Sequence, residues 1–271
     1  MINLFRDLKI KYLIAVAGGA FIIAVGMTFL NIREWITFIV VLGWAFLMGY
    51  LFTQSANKRA SAIADLRNNC RLNEYIAQYS DALSKLKDGT PSASVIRMNL
   101  AAGYLDMGNT AAAADMMQGV QVKPGSKFEK PMAAIYHNNY SLLFLKSGDI
   151  DNAEVAKNAC RGVISEGMKP EEKARIESFC ALREAQIDIC RGNMEGLDNA
   201  QNLFEGYLRS ASSPLERSSG AYWLARIWNL RGDREGEIHY LKMAEAEGGE
   251  SMYAAEAKKI LSAYAVDNSL V

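Results

Sequence analysis

The sequence predicts an all-α protein: a two-helix transmembrane hairpin over residues 1–54, then an array of about four to five helical hairpins over residues 55–271. Three observations predict it. Two charge-free apolar stretches of membrane length stand near the N-terminus. A Gly-Asp or Gly-Asn pair recurs at a regular interval through the rest. Prolines keep the same interval.

The apolar stretches are residues 12–30 and 35–53. Each is about 19 residues, or about 28 Å as a helix, close to the hydrocarbon thickness of a bilayer. Backbone groups in lipid must pair within the segment, so both are expected to be helices. Residues 31–34 leave room only for a tight connection. Tyr12, Trp35 and Tyr50 stand near the ends, where amphipathic rings favour the interface. Ala15, Gly18, Gly19, Gly43 and Gly49 are small enough for close helix approach. Arg6, Lys9 and Lys11 precede the first span, and Lys58, Arg59, Arg67 and Arg71 follow the second. The positive-inside rule therefore places both termini in the cytoplasm and the loop outside, and the expected location is a plasma membrane, most plausibly bacterial, as an integral protein. A cleaved signal peptide is the rival reading. The long apolar run and the lack of a small-x-small site after it weigh against cleavage.

Beyond the spans the chain is rich in Ala, Leu, Glu and Lys. The 30 basic residues of the whole chain equal its 30 acidic ones. That balance offers nucleic acid no long-range attraction. Cys70, Cys160, Cys180 and Cys190 form no CxxC pair, and neither His137 nor His239 stands at ligand spacing from them. No metal and no cofactor are expected. Scattered single cysteines in Ala-rich helices read as small buried hydrophobes, and free thiols fit a reducing compartment.

The helical hairpins are punctuated by Gly108-Asn109, Gly148-Asp149, Gly192-Asn193 and Gly232-Asp233, with glycines 40, 44 and 40 residues apart. Glycine takes the left-handed conformation that ends a helix. Asn or Asp then accepts from the free N–H groups of the next helix. Pro91, Pro131, Pro170 and Pro214 precede these glycines by 17, 17, 22 and 18 residues, and proline suits a first helical turn. Each unit thus reads as first helix, turn, second helix. No such hairpin buries its apolar face alone, so the units must stack. Residues 71–87 read as the second helix of an earlier unit, whose first helix continues the second span. Residues 251–264 read as a terminal cap.

These units resemble the tetratricopeptide repeat (TPR) family. Leu100-Ala101 precedes Tyr104, Gly108-Asn109 and Ala113. Tyr140-Ser141 precedes Phe144, Gly148-Asp149 and Ala153. Leu224-Ala225 precedes Trp228 and Gly232-Asp233, with Glu237 where the family has Ala. In the third unit the aromatic position falls on Asp188, and only the turn matches. The resemblance covers about residues 90–248 and implies a TPR-like α-solenoid. Its first helices would line a concave face, a groove that binds a protein or peptide. Helical spacing from the core positions puts Met98 and Asn99, then Asn138, Asn139 and Lys146, then Gln186, then Tyr222, Arg226 and Asn229 on that face. Some family members clamp a C-terminal carboxylate with Asn, Lys and Arg there; here the cations are too few.

No catalytic constellation is present. His137 lacks a nucleophile or acid nearby, and Gly18-Gly19 and Gly248-Gly249 are not followed by a phosphate-loop Lys. The expected function is a non-enzymatic, membrane-anchored scaffold or adaptor for a protein or peptide at the cytoplasmic face. The alternative is an accessory or regulatory subunit of a transport or export complex, acting through the hairpin. The absence of ionisable groups within either span weighs against that alternative.

Overall fold

A computed structural model describes residues 6–30, 32–121 and 129–268. Asn31 of the expected hairpin connection, residues 1–5, and residues 122–128 and 269–271 of the expected repeat region lie outside the described residues. Among the described residues all regular structure is helical. Helices α1 (Arg6–Phe29) and α2 (Glu34–Asn68) have 24 and 35 residues, and both are long and apolar enough to cross a membrane.

The two helices pack on each other through part of the expected small-residue set. A Cβ on Gly19 would overlap the Trp44 indole, whose N–H donates to Ala15 O at 3.4 Å. One on Gly49 would stand 3.3 Å from Tyr12 Oη. Gly18 and Gly43 are different: a Cβ on either meets nothing within 4 Å. Gly18 is one residue, about 100° of helical turn, away from the Gly19 contact.

Helix α2 does not stop where its apolar stretch stops. It runs on to Asn68, and Ala56 and Ile63, seven residues apart on one face, are buried against Tyr75, Tyr79, Ile96 and Leu100. The chain then reverses at Cys70, a buried residue with φ of 56°, into α3 (Leu72–Ser84).

Four helical hairpins come next: α4 (Pro91–Asp106) with α5 (Thr110–Gln118), α6 (Glu129–Lys146) with α7 (Ile150–Gly162), α8 (Pro170–Arg191) with α9 (Leu197–Ser210), and α10 (Pro214–Leu230) with α11 (Arg234–Glu247). Helix α12 (Met252–Asn268) packs on α11 and α10. Thr90 caps α4, and Ser213 and Glu216 form a reciprocal capping box on α10. Pro91, Pro170 and Pro214 open their helices, and Pro131 lies in the first turn of α6. All four turn glycines are left-handed, with φ between 66° and 81°. Asn109, Asp149 and Asp233 accept from Ala112, Asn152 and Gly236 N–H as expected.

Asn193 does not cap a helix. A 3-10 turn, Met194–Gly196, intervenes before α9, and Asn193 Nδ2 instead donates to Asp188 Oδ1 at 3.1 Å. Asp188 is the residue on which the expected aromatic position of the third unit falls. Glu237 is buried, and Tyr264 Oη of α12 donates to its Oε2 at 2.7 Å. The Glu237 carboxylate therefore anchors the last helix.

The first helices neighbour one another in order, α4 with α6, α6 with α8 and α8 with α10. Ile96, Leu100, Leu105, Leu224, Ile227 and Leu241 are at most 1% exposed. Each such burial is worth about 1.5–3 kcal/mol. The two ends of this series then meet. Glu250 N donates to Cys70 O at 3.2 Å, and Asn73 N donates to Glu250 Oε2 at 2.7 Å. Gly249 fits against Cys70 so closely that a Cβ would lie 2.9 Å from Cys70 Cβ. Helix α10 touches α2 as well.

Candidate functional site

The first helices and the meeting ends surround a cavity of about 460 Å³. Its wall is drawn from α2, α4, α6, α8, α9, α10 and α12. Helical spacing explains the regular part. Residues three, four and seven apart share a face, so α4 contributes Met98, Asn99, Ala102 and Asp106, and α8 contributes Phe179, Leu182, Arg183 and Gln186. The cavity is thus part apolar and part amide, with charges at four points.

Of the nine residues read from the sequence, Met98, Asn99, Asn138, Asn139 and Gln186 line this cavity. They do not play equal parts. Asn139 is buried, and its Nδ2 donates to Met98 O at 3.1 Å, which ties α6 to α4. Asn99 and Asn138 are half-buried and face the open volume. The other four residues lie off the cavity. Lys146 Nζ sits 4.6 Å from the centre of the Tyr253 ring, beside Met252 Sδ. Tyr222 is buried with its ring 5.6 Å from that of Tyr253, and Arg226 lies behind it, 3.5 Å from Tyr222 Oη. Asn229 is exposed. Helix α12 thus supplies the ring that Lys146 and Tyr222 meet.

Sequence reasoning missed Arg67, Asn68, Arg183, Tyr207 and Tyr253. Arg183 was legible, since it stands four residues after Phe179 and three before Gln186 on the same stripe. Arg67, Asn68 and Tyr253 reach the wall only because the ends of the series meet, and no local pattern carries that.

The charges are specific. Arg67 Nε donates to Asp106 Oδ2 at 2.6 Å. The carboxylate is almost wholly buried, while Arg67 keeps 36% of its side chain exposed because it faces the cavity. Asp106 holds the Arg67 guanidinium above its ordinary pKa, against the opposing effect of burial. Burial likewise raises the Tyr207 phenol, with Glu216 adding to it. Glu216 spends its Oε2 on the N-terminus of α10, accepting from Ser212 and Ser213 N–H at 2.8 and 3.2 Å.

The remaining candidate groups lie elsewhere. His137 is half-buried against the Tyr136 ring, 5.4 Å between centres, and loss of water lowers its pKa. His239 is exposed. Cys70, Cys160 and Cys180 are buried free thiols and Cys190 is half-buried. Burial pushes Cys70 up to about 11 and Cys160 up to about 12. Among the described residues no three His, Cys, Asp or Glu side chains come together as a metal site would need.

Compared with protein-family models, with curated proteins and with solved structures, the chain shows no match.

Proposed function

We propose that the chain is a membrane-anchored, TPR-like adaptor of a bacterial plasma membrane. In this reading residues 1–54 cross the bilayer twice, with both termini in the cytoplasm. Residues 55–271 form a TPR-like α-solenoid that holds a protein or peptide partner. One observation carries it: Met98, Asn99, Asn138, Asn139 and Gln186, from three successive first helices, line a single cavity. Two further facts support the anchor. Phe21, Phe29 and Phe46 are 70%, 87% and 71% exposed, a surface suited to lipid. The basic residues Lys58 and Arg59 follow the second apolar stretch. Anchoring raises the effective concentration of the domain for partners at the membrane.

A second reading is an accessory subunit of a transport or export complex, acting through the hairpin. The continuity of α2 from its apolar stretch to Arg67 favours it, because movement of the hairpin would reach the cavity wall directly.

The test is proximity labelling from the C-terminus of the full-length protein in its own cell, with wild type and Asn99→Glu. Asn99 faces the cavity and is half-buried, so the new carboxylate reaches the site without replacing a core group. The adaptor reading expects a short set of partners that disappears in the variant while the protein stays in the membrane fraction. An unchanged set rich in one transport complex would overturn it in favour of the hairpin.

A further inference from the structure

The cavity holds one charged group that partner capture by the amide residues does not use. Arg183 enters it from α8. Its Nε donates to Asn138 Oδ1 at 3.2 Å and its Nη1 donates to Gln186 Oε1. Both acceptors are neutral. Among the described residues no carboxylate stands within ion-pair distance of Arg183, and no acceptor takes its Nη2.

The two carboxylates that line the cavity are already engaged. Asp106 acts on Arg183 only at longer range and is held by Arg67 at 2.6 Å. Glu216 accepts from Ser212 N–H, Ser213 N–H and Ser212 Oγ at 2.8, 3.2 and 3.1 Å. Arg183 is therefore a half-buried cation on the cavity wall whose hydrogen-bond partners are neutral amides. Loss of water lowers its pKa from the ordinary value. A cation so placed is stabilised by a counter-anion, and a guanidinium fork suits paired oxygens on carboxylate or phosphate.

The surroundings narrow the ligand. Phe179 and Leu182 flank Arg183 on the same wall and offer an apolar rest. A volume of about 460 Å³ lies in the range of small-molecule sites. Asn68, at the rim on α2, stands about 22 Å of helix beyond residue 53, where the apolar stretch ends, so a headgroup held in a bilayer does not reach it.

We propose that this cavity binds a small soluble organic anion, its carboxylate or phosphate oxygens on Arg183 and its apolar body against Phe179 and Leu182. This goes beyond the adaptor reading and does not depend on which protein the domain holds.

The experiment uses the full-length protein in lipid nanodiscs, with benzoate, phenyl phosphate and benzamide as probes. Thermal melts and titration calorimetry read binding. Benzoate or phenyl phosphate should raise Tm in a saturable way at one site, and benzamide, the neutral twin, should not. Which anion binds more tightly separates the carboxylate source from the phosphate source. Asn138→Asp gives Arg183 a fixed carboxylate of the same shape. It should raise the Tm of the free protein and weaken the preferred anion at least about tenfold. Arg183→Met is the second variant, expected to stay folded and lose the anion response. Equal binding of benzamide, unchanged affinity in both variants, or no wild-type response to either anion at about 10 mM would each overturn the proposal. Partner capture is scored separately in cells, so either conclusion can fail alone.

Discussion

Gly249→Ala tests whether the two ends of the helical series are joined as described. The position is strained for any side chain in two independent ways. Its φ of +47° lies in the left-handed region, which costs a non-glycine residue about 1–2 kcal/mol. A Cβ there would also lie 2.9 Å from Cys70 Cβ and 3.3 Å from Cys70 O. Cys70 has little room to retreat, being 2% exposed and itself left-handed at 56°. Overpacking of that kind adds about 1–3 kcal/mol. Gly148→Ala is the matched control: φ is +81°, but a Cβ meets nothing within 4 Å. It carries the backbone cost alone. At about 2–4 °C per kcal/mol for a domain of this size, the added contact should separate the two variants by about 2–12 °C in Tm. Circular dichroism melts of the full-length variants in one detergent measure it. Hydrogen exchange supplies the local readout. The Glu250 and Asn73 amides, which bridge the two ends, should exchange faster in Gly249→Ala and not in Gly148→Ala. Equal melting temperatures with both amides still protected would refute the joining of the ends.

Three other outcomes are expected. Arg67→Met and Asp106→Asn should each destabilise the fold by about 1–3 kcal/mol, below the usual range for a buried pair because Arg67 is a third exposed. In a urea double-mutant cycle that combines Arg67→Met with Asp106→Asn, a coupling under about 0.5 kcal/mol would show that the pair does not act as one. Stability should fall as pH rises above about 9. Cys70 and Cys160 stay protonated in the folded chain to about 11 and 12, whereas the unfolded thiols ionise near 9, so the unfolded state is favoured progressively through that window. Each thiol contributes on the order of 1 kcal/mol by pH 10, and a Tm flat from pH 8 to 10.5 would contradict it. For topology, Arg33→Cys and Ser262→Cys, both at exposed positions, should label oppositely in intact cells. A membrane-impermeant maleimide should reach only position 33, and labelling of position 262 alone would reverse the orientation. The native cysteines make a poor reporter, since three of the four are buried on either side of a membrane.

Local chemistry made most of the helices legible. Pro91 and Pro214 sit at helix starts, Gly108 and Gly232 are left-handed at helix ends, and Asn109 and Asp233 cap the helices that come after them. These are effects of neighbouring residues on one another, and neighbours are what a sequence displays. Part of the cavity lining was legible in the same way. Met98, Asn99, Asn138, Asn139 and Gln186 follow from helical phase, and phase places them on the cavity. Phase failed for Tyr222 because α12 lies over that helix and puts Tyr253 against it. It failed at Asn193 because a 3-10 turn shifts the cap position. The joining of Cys70 to Glu250 links distant parts of the chain and rests mainly on backbone groups, which every residue except proline possesses in full. No side-chain pattern encodes it.

The same joining relates the two functional readings to each other. Helix α2 is one element from Glu34 to Asn68, and its buried face, Ala56 and Ile63, is set in the core shared with α3 and α4. Its last turn carries Arg67 and Asn68 into the cavity wall, where Arg67 holds Asp106 of α4. Cys70, just beyond that turn, meets Gly249 and Glu250 ahead of α12. The second apolar stretch and part of the cavity wall thus belong to one continuous helix. Under the two proposed readings, any coupling between ligand and hairpin would run through that helix and be reciprocal by linkage: whatever the hairpin did to affinity, the ligand would do to the hairpin.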